Sequence, residues 1–194
     1  STDLPTLENR MLLSHTTGLS HVQLISRGNG SLDDASLAAF NHARARRLSG
    51  EPMAYIVGNR EFYGRDFAVS PAVLIPRPDT ELLIDTALAL VLPAQAQVLD
   101  MGTGSGAIAV TLACERADWR VVGLDVSGAA LAVARENAAQ LGAHVSLFES
   151  DWFTTLKGSE ARFDLIVSNP PYIERDDVHL SQGDVRFEPR GALT

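Results

Sequence analysis

The second half of the chain alternates between short apolar runs and longer stretches with helical periodicity. The apolar runs cover residues 98–100, 120–125, 144–148 and 163–168, and helical patterns fill residues 105–115 and 127–141. Strands that are apolar along their whole length are typical of a parallel sheet covered by helices. The pattern therefore predicts an α/β fold with βαβαβ–β order and right-handed crossovers.

Helical periodicity also dominates the beginning of the chain. Apolar residues at helical spacing predict a short first helix that ends at Thr17-Gly18. A second helix is predicted to begin with Ser31 as its N-cap and to end at Gly50. Residues 1–50 are therefore predicted to form a small helical domain.

The pattern changes to alternation from Glu51 onwards. Strands are predicted at residues 55–57, 61–63 and 67–69, with a turn at Gly64-Arg65. We interpret residues 51–75 as a β-hairpin linker and residues 76–194 as the α/β domain.

A proline-rich segment, Leu74-Ile-Pro-Arg-Pro-Asp-Thr-Glu81, leads into the α/β domain. Its two prolines, Pro76 and Pro78, exclude a helix until Asp79, which is predicted to cap the next one. Arg77 and Glu81 either form a structural ion pair or belong to the floor of a site. The sequence favours the ion pair.

Composition describes a globular protein with a sizeable core, since 45% of its 194 residues are hydrophobic. Cys114 is the single cysteine and has no partner for an internal disulfide, which fits a reducing compartment. The sequence contains no apolar run of about 18 residues and no secretory leader pattern. We therefore expect a cytoplasmic location and no membrane association.

The net charge of −8 is unevenly distributed. Residues 1–75 carry seven basic and seven acidic side chains, whereas residues 76–194 carry nine basic and seventeen acidic ones. An acidic surface repels the phosphate backbone of nucleic acids. No nucleic-acid partner is expected.

A glycine-rich turn follows the first strand of the α/β domain, in the stretch Asp100-Met-Gly-Thr-Gly-Ser-Gly106. Glycines allow positive φ angles and let a ligand approach the backbone, and the following helix offers unpaired N–H groups. The turn indicates a ligand loop. By itself it does not distinguish a nicotinamide cofactor from S-adenosylmethionine.

Acidic and aromatic side chains follow the next two strands. Asp125 ends the second strand about twenty residues after the glycines, where a carboxylate can accept hydrogen bonds from ribose hydroxyls. Asp151 and Trp152 follow the third strand, and Trp152 can cover an adenine ring or else pack in the core.

The tetrapeptide Asn169-Pro170-Pro171-Tyr172 directly follows the fourth strand. The Asn169 side-chain oxygen and the Pro170 carbonyl can accept both hydrogens of one NH2 group, while Tyr172 provides an aromatic wall. Such a pair of acceptors can turn a planar, weakly nucleophilic nitrogen towards an electrophile. Methyl transfer from a sulfonium requires this and hydride transfer does not, so S-adenosylmethionine is favoured.

No other reactive group is needed for this chemistry. The five histidines are scattered without ligand spacing, so no metal site is predicted. The predicted catalytic residues are Asn169, Pro170 and Tyr172, and Pro171 joins them in binding the substrate. The predicted cofactor-binding residues are Asp100, Gly102, Thr103, Gly104, Gly106, Asp125, Asp151, Trp152 and Asn169.

These motifs, together with Gln182-Gly-Asp-Val-Arg-Phe-Glu-Pro189, resemble the HemK/PrmC family of release factor glutamine methyltransferases over essentially the whole chain. The resemblance implies a Rossmann-like class I methyltransferase sheet preceded by a small helical domain and a β-hairpin. It implies methylation of the glutamine in the Gly-Gly-Gln motif of bacterial class 1 peptide chain release factors, with the helical domain helping to recognise them. Asn169 and Pro170 would hold the glutamine amide.

Family members usually extend further at both ends. The resemblance implies another helix before Ser1 and three strands after Thr194, so we expect a partial helical domain and a sheet incomplete in its C-terminal half. Two alternatives stay open at this stage. One is an adenine-amino methyltransferase acting on DNA or RNA, and the other is a fragment that binds cofactor or partner without turnover.

Overall fold

The computed structural model describes residues 3–27, 30–174 and 176–194. Its helices are α1 (Thr6–Thr17), α2 (His21–Arg27), α3 (Asp34–Leu48), α4 (Met53–Val57), α5 (Glu81–Leu88), α6 (Ala107–Glu115) and α7 (Gly128–Gln140). Its strands are β1 (Asn59–Phe62), β2 (Arg65–Ala68), β3 (Gln97–Met101), β4 (Arg120–Asp125), β5 (Val145–Glu149) and β6 (Leu165–Ser168). No helix in this part of the chain has the length and apolar character of a membrane span.

The helical N-terminal part matches the predicted pattern with one addition and one correction. Helix α1 ends at Gly18, whose φ of 68° gives the left-handed cap that glycine adopts easily. Helix α2 was not predicted from the sequence. The N-cap of α3 is Asp33 rather than Ser31, because the Asp33 carboxylate lies next to the first turn and accepts from the Ser36 amide at 2.7 Å.

The linker between the two parts is a short helix followed by a hairpin. Residues 55–57, predicted as a strand, belong to α4, which begins after Pro52. Strands β1 and β2 pair antiparallel as predicted. The turn lies at Tyr63-Gly64, one residue before the predicted position, because φ is positive at both residues (52° and 70°), as a tight hairpin turn requires.

The α/β part contains a four-stranded parallel sheet in the order β5-β4-β3-β6. The sheet reverses between β3 and β6, since β3 leads to β4 on one side and β6 pairs with β3 on the other. In such sheets a crevice opens at the carboxyl ends of the strands on either side of this point. The predicted βαβαβ–β order is confirmed.

The largest core cluster lies between the sheet and its helices. Its fully buried residues include Phe62, Phe67, Ile84, Val98, Val110 and Leu112. The two phenylalanines belong to the hairpin, and their rings meet edge to face at 5.9 Å. Hairpin and sheet therefore share one apolar core.

The residues after β6, 169–194, form a tail that contacts the rest of the molecule. Its described residues contain no strand. Three 3₁₀ turns lie at Val178–Ser181, Val185–Phe187 and Arg190–Ala192. The Ile173 amide donates to the Leu193 carbonyl at 2.9 Å, and Arg47 of α3 pairs with Asp184 at 3.0 Å. This tail connects the helical domain to the crevice.

Candidate active site

Two adjoining cavities open at the carboxyl ends of β3, β4 and β6. The large cavity has a volume of about 480 Å³, and its lining includes Gly102, Gly104, Asp125, Asp151, Trp152 and Asn169. The small cavity has a volume of about 320 Å³ and is lined by Leu74, Arg77, Tyr172 and Val185, among others. Asn169 and Pro170 line both cavities.

The glycine-rich turn forms one wall of the large cavity. The φ angles of Gly102 and Gly104 are 73° and 56°, and a Cβ added at either would meet no atom within 4 Å. Gly106 has a different role, because a Cβ there would lie 3.2 Å from the Cβ of Ala134. Gly102 and Gly104 thus leave space for a ligand, while Gly106 allows α6 to pack closely on α7.

Asp100 and Thr103 lie beneath the turn rather than on its surface. Asp100 is fully buried, and its Oδ2 accepts from the Thr103 hydroxyl at 2.6 Å and the Ala109 amide at 3.2 Å. Its Oδ1 has no hydrogen-bond partner among the described residues. Burial, together with the nearby charge of Asp125, raises the pKa of Asp100 to about 6, although the two hydrogen bonds oppose the shift.

The Asp125 carboxylate is held by backbone amides at the end of β4. Its Oδ2 accepts from the Gly104 amide at 2.8 Å, and its Oδ1 accepts from the Ser127 amide at 2.9 Å. Each oxygen can accept a further hydrogen bond, because a carboxylate has about four acceptor positions. The side chain is therefore fixed in place with acceptor capacity left for a ligand.

Trp152 also lines the large cavity. It is 61% exposed, so it does not pack in the core, and its φ of 49° is unusual for a bulky residue. The Ser150 hydroxyl supports this conformation by donating to the Trp152 carbonyl at 2.8 Å and accepting from the Thr155 amide at 3.1 Å. The indole is therefore exposed to solvent at the cavity.

Asn169 is positioned from two sides. The preceding residue, Ser168, donates its hydroxyl hydrogen to the Met101 carbonyl of β3 at 2.7 Å. The Asn169 Nδ2 donates to the Thr80 hydroxyl oxygen at 3.2 Å. These contacts join the end of β6 to the glycine-turn strand and to the beginning of α5.

The rest of the tetrapeptide is divided between the two cavities. Pro171 lines the large cavity, whereas Tyr172 lines the small one and is 81% exposed. The structure thus brings the predicted substrate residues to the junction of the cavities and to the rim of the smaller one.

Arg77 and Glu81 do not pair with each other, which corrects the interpretation favoured from the sequence. Arg77 forms an ion pair with Glu188, whose side chain is completely buried and also accepts from the Ile75 amide at 3.2 Å. Glu81 accepts from the Tyr63 amide at 3.0 Å. Because Arg77 lines the small cavity, the alternative that it belongs to the site is the better description.

Thr80 and Glu188 hold the cavity-lining residues Asn169 and Arg77, and neither was predicted from the sequence. Both lie in segments that the motifs singled out, residues 74–81 and 182–189. Their partners are 89 and 111 residues away along the chain, a separation at which periodicity and local spacing carry no information.

The chain matches two family models. Residues 1–58 match the PrmC N-terminal domain, and residues 78–185 match the methyltransferase small domain. A release factor glutamine methyltransferase of Neisseria gonorrhoeae is 54% identical over 191 residues, covering 98% of this chain and 70% of the relative. One of Bordetella pertussis is 55% identical over 192 residues, covering 98% of this chain and 71% of the relative.

The chain belongs to the release factor glutamine methyltransferase family. The family resemblance inferred from the motifs is thereby confirmed. Among solved structures, a Pyrococcus abyssi tRNA (uracil-54, C5)-methyltransferase with S-adenosyl-L-homocysteine is similar at a TM-score of 0.47. It is 22% identical, and the match covers 58% of this chain and 27% of that one.

Family membership makes this chain an S-adenosylmethionine-dependent methyltransferase, as expected from the sequence. The large cavity fits that cofactor on three observations. It has the size of a small-molecule site, and two glycines leave open space where a side chain would intrude. In addition, a carboxylate oxygen of the buried Asp100 lacks a hydrogen-bond partner among the described residues, directly before Met101 and Gly102, which line the cavity.

Proposed function

We propose that this chain methylates the side-chain amide nitrogen of the glutamine in the Gly-Gly-Gln motif of bacterial class 1 peptide chain release factors. The names of the relatives, which cover nearly all of this chain, support this substrate. The observation that carries the proposal is the position of Asn169 and Pro170, which line both cavities. A residue at such a junction can contact a methyl donor on one side and an acceptor on the other.

The large cavity takes the cofactor in this proposal. When bound, S-adenosylmethionine supplies a methyl group activated by a positively charged sulfonium. Asp125 accepts hydrogen bonds from the ribose hydroxyls, and Gly102 and Gly104 admit the ligand close to the backbone. Asp151 and Trp152 hold the adenine end, the indole by stacking. Asp100, Thr103 and Gly106 support the turn from below.

The small cavity takes the glutamine side chain. An amide nitrogen is a poor nucleophile because its lone pair is delocalised into the carbonyl group. Asn169 Oδ1 and the Pro170 carbonyl accept its two hydrogens, which orients the nitrogen and stabilises the positive charge that develops on it. Tyr172 forms a wall against the planar amide, and Pro171 stiffens the backbone between them.

The helical domain, residues 1–50, contributes to recognition of the protein substrate in this proposal. It reaches the small cavity through the tail, since Arg47 pairs with Asp184 and Arg186 donates to the Ser49 carbonyl. Translation termination places the substrate, and so the reaction, in the cytoplasm.

A nucleic-acid substrate is disfavoured by charge. Residues 76–194, which carry both cavities, hold nine basic and seventeen acidic side chains. Proteins that bind nucleic acids normally neutralise several phosphates with lysine or arginine. The proposed partner is therefore a protein.

The deciding experiment is incubation of the purified chain with S-adenosylmethionine labelled in its methyl group, together with either a bacterial class 1 release factor or DNA and RNA. We expect label on the glutamine of the release factor, located by mass spectrometry of its peptides. Label on nucleic acid would overturn the proposal. Cofactor binding without label on any substrate would favour a binding role without turnover.

Asn169→Ala provides the matching variant, and we expect it to abolish glutamine labelling while cofactor binding persists. The exposed Asn59 in β1 lies outside both cavities. Asn59→Ala should therefore retain the labelling of the unmodified chain.

A further inference from the structure

The Thr80 side chain joins the beginning of helix α5 to the tetrapeptide after β6. Thr80 ends the 3₁₀ turn Pro78–Thr80, which continues directly into α5, and its backbone is helical (φ −70°, ψ −19°). Its side chain makes no capping hydrogen bond. Its hydroxyl oxygen instead accepts from Nδ2 of Asn169 at 3.2 Å, across 89 residues of sequence.

In the structure this hydrogen bond occupies the donor end of the Asn169 amide and leaves its acceptor end free. An asparagine amide has one acceptor end and one donor end, and only the acceptor end can hold the hydrogens of another NH2 group. With Nδ2 turned towards Thr80, Oδ1 is the end left over. The reverse orientation would present two N–H groups to an amide that itself offers N–H groups, which is a repulsive arrangement.

Other contacts do not determine this orientation. The Ser168 hydroxyl and the Met101 carbonyl hold the backbone before Asn169, and the bond between the Ile173 amide and the Leu193 carbonyl holds the chain after it. Neither touches the Asn169 amide. Within the described residues, the contact with Thr80 is the hydrogen bond assigned to that side chain.

We propose that Thr80 is a positioning residue that orients the Asn169 amide with Oδ1 towards the acceptor nitrogen. The contact joins the beginning of α5 to the end of β6 across 89 residues of sequence. The effect on turnover rests on the function proposed above, whereas the orientation of the amide does not.

The test compares Thr80→Val and Thr80→Ala, which lack the hydroxyl, with Thr80→Ser, which keeps it. Thr86→Val is the matched control, because Thr86 lies on the same helix and its hydroxyl donates to the Leu82 carbonyl at 2.7 Å, within the helix itself. We expect kcat to fall about tenfold in the first two, the kinetic value of one positioning hydrogen bond. The dissociation constant for S-adenosylmethionine should change less than about twofold.

Thr80→Ser and Thr86→Val should retain kcat within about twofold. A wild-type kcat in both hydroxyl-free variants would overturn the proposal. So would failure of Thr80→Ser to restore turnover while its melting temperature matches that of the unmodified chain, because a hydroxyl-dependent role predicts rescue.

Nuclear magnetic resonance of the asparagine side-chain amides gives a readout that does not depend on activity. The Asn169 signals are assigned by their loss in Asn169→Asp. In Thr80→Val and Thr80→Ala we expect them to shift and to exchange faster with water. The Asn137 signals should be unchanged, because that Nδ2 donates to the carbonyls of Ala68 and Ser105.

These experiments distinguish failure of the role proposed for Thr80 from failure of the proposed function. Unshifted Asn169 signals in both hydroxyl-free variants would overturn the role of Thr80 whatever the activity. Shifted signals in a chain that labels no glutamine would refute the proposed function and leave the assigned amide orientation supported.

Discussion

The two sides of the active site are built in different ways. On the cofactor side, acidic side chains are held by backbone amides of neighbouring loops, as when Asp125 accepts from the amides of Gly104 and Ser127. On the acceptor side, Tyr172 is 81% exposed, and the described part of the surrounding tail forms 3₁₀ turns rather than strands or α-helices. The order there depends on a few polar contacts, above all those of Glu188 and Thr80.

The difference follows from what each side must recognise. A small cofactor with fixed groups is bound well by loops already rigid at the ends of parallel strands, because little ordering is needed on binding. A glutamine on another protein must enter a slot open to solvent. Substitutions on the two sides are therefore expected to differ in their effects on stability, cofactor affinity and turnover.

The largest effect is expected at Glu188, on the acceptor side. Glu188→Ala removes a buried carboxylate and leaves Arg77 and the Ile75 amide without their acceptor, so the free energy of unfolding should fall by about 3–4 kcal/mol. Urea denaturation measures this. The exposed Glu174 is the control, and Glu174→Ala should change stability by less than about 0.5 kcal/mol. Equal effects at the two positions would contradict the buried-anchor role.

A slightly smaller effect is expected from Asp100, on the cofactor side. Its pKa is raised from 3.8 to about 6 in the folded protein, so between these values the folded state binds the additional proton. The associated stability is complete below about pH 4 and is lost as the pH rises through about 6, by about 3 kcal/mol in total.

This contribution is isolated by subtracting the stability curve of Asp100→Asn, which does not titrate, from that of the unmodified chain between pH 4 and 7. The difference should decline over that interval. Parallel curves would show that Asp100 has an ordinary pKa.

Asp125 tests cofactor recognition directly. Asp125→Ala removes the acceptor of two backbone amides and of the proposed ribose contact, so affinity for S-adenosylmethionine should fall about thirtyfold, or about 2 kcal/mol. Isothermal titration calorimetry measures the change. The exposed Asp66 in β2 serves as control, and Asp66→Ala should bind normally. Unchanged affinity in Asp125→Ala would refute its role.

Substitution of Tyr172 should give the smallest effect, and it should reduce turnover rather than cofactor affinity. Tyr172→Ala is expected to reduce turnover about tenfold, about 1.4 kcal/mol, while leaving cofactor affinity nearly unchanged, because the ring lines only the small cavity. Tyr172→Phe keeps the ring and should retain most activity. A larger loss in cofactor affinity than in kcat would break the division between the two sides.

Sequence analysis was most accurate where local pattern and tertiary environment agree. Strand β4 was predicted to the residue, because its apolar run is continuous and a buried parallel strand requires such a run. It failed at residues 55–57, where a β-branched, aromatic-rich triplet lies in a short helix after Pro52. Burial of Tyr55 and Ile56 overrides their strand propensity.

The site was likewise predicted only in part. Gly102, Gly104, Asp125, Asp151, Trp152 and Asn169 line one cavity, as expected from their places at strand ends. The separate small cavity, the partner of Arg77 and the contact between Thr80 and Asn169 were not predictable. Each depends on contacts between segments about a hundred residues apart, and helical or strand periodicity describes only near neighbours.

The contacts of the site also differ in how much of the chain must be synthesised before they can form. The turn contacts of Asp100 and Asp125 span 3 and 21 residues, whereas those from Ile75 and Arg77 to Glu188 close loops of 113 and 111 residues. Contacts of high sequence separation form slowly, and a chain emerging from the ribosome makes its early segments available first. The glycine turn and its contact with Asp125 can therefore form early in synthesis. Both cavities are completed only when the last described residues have emerged, since Pro189 and Thr194 line the large cavity and Leu193 lines the small one.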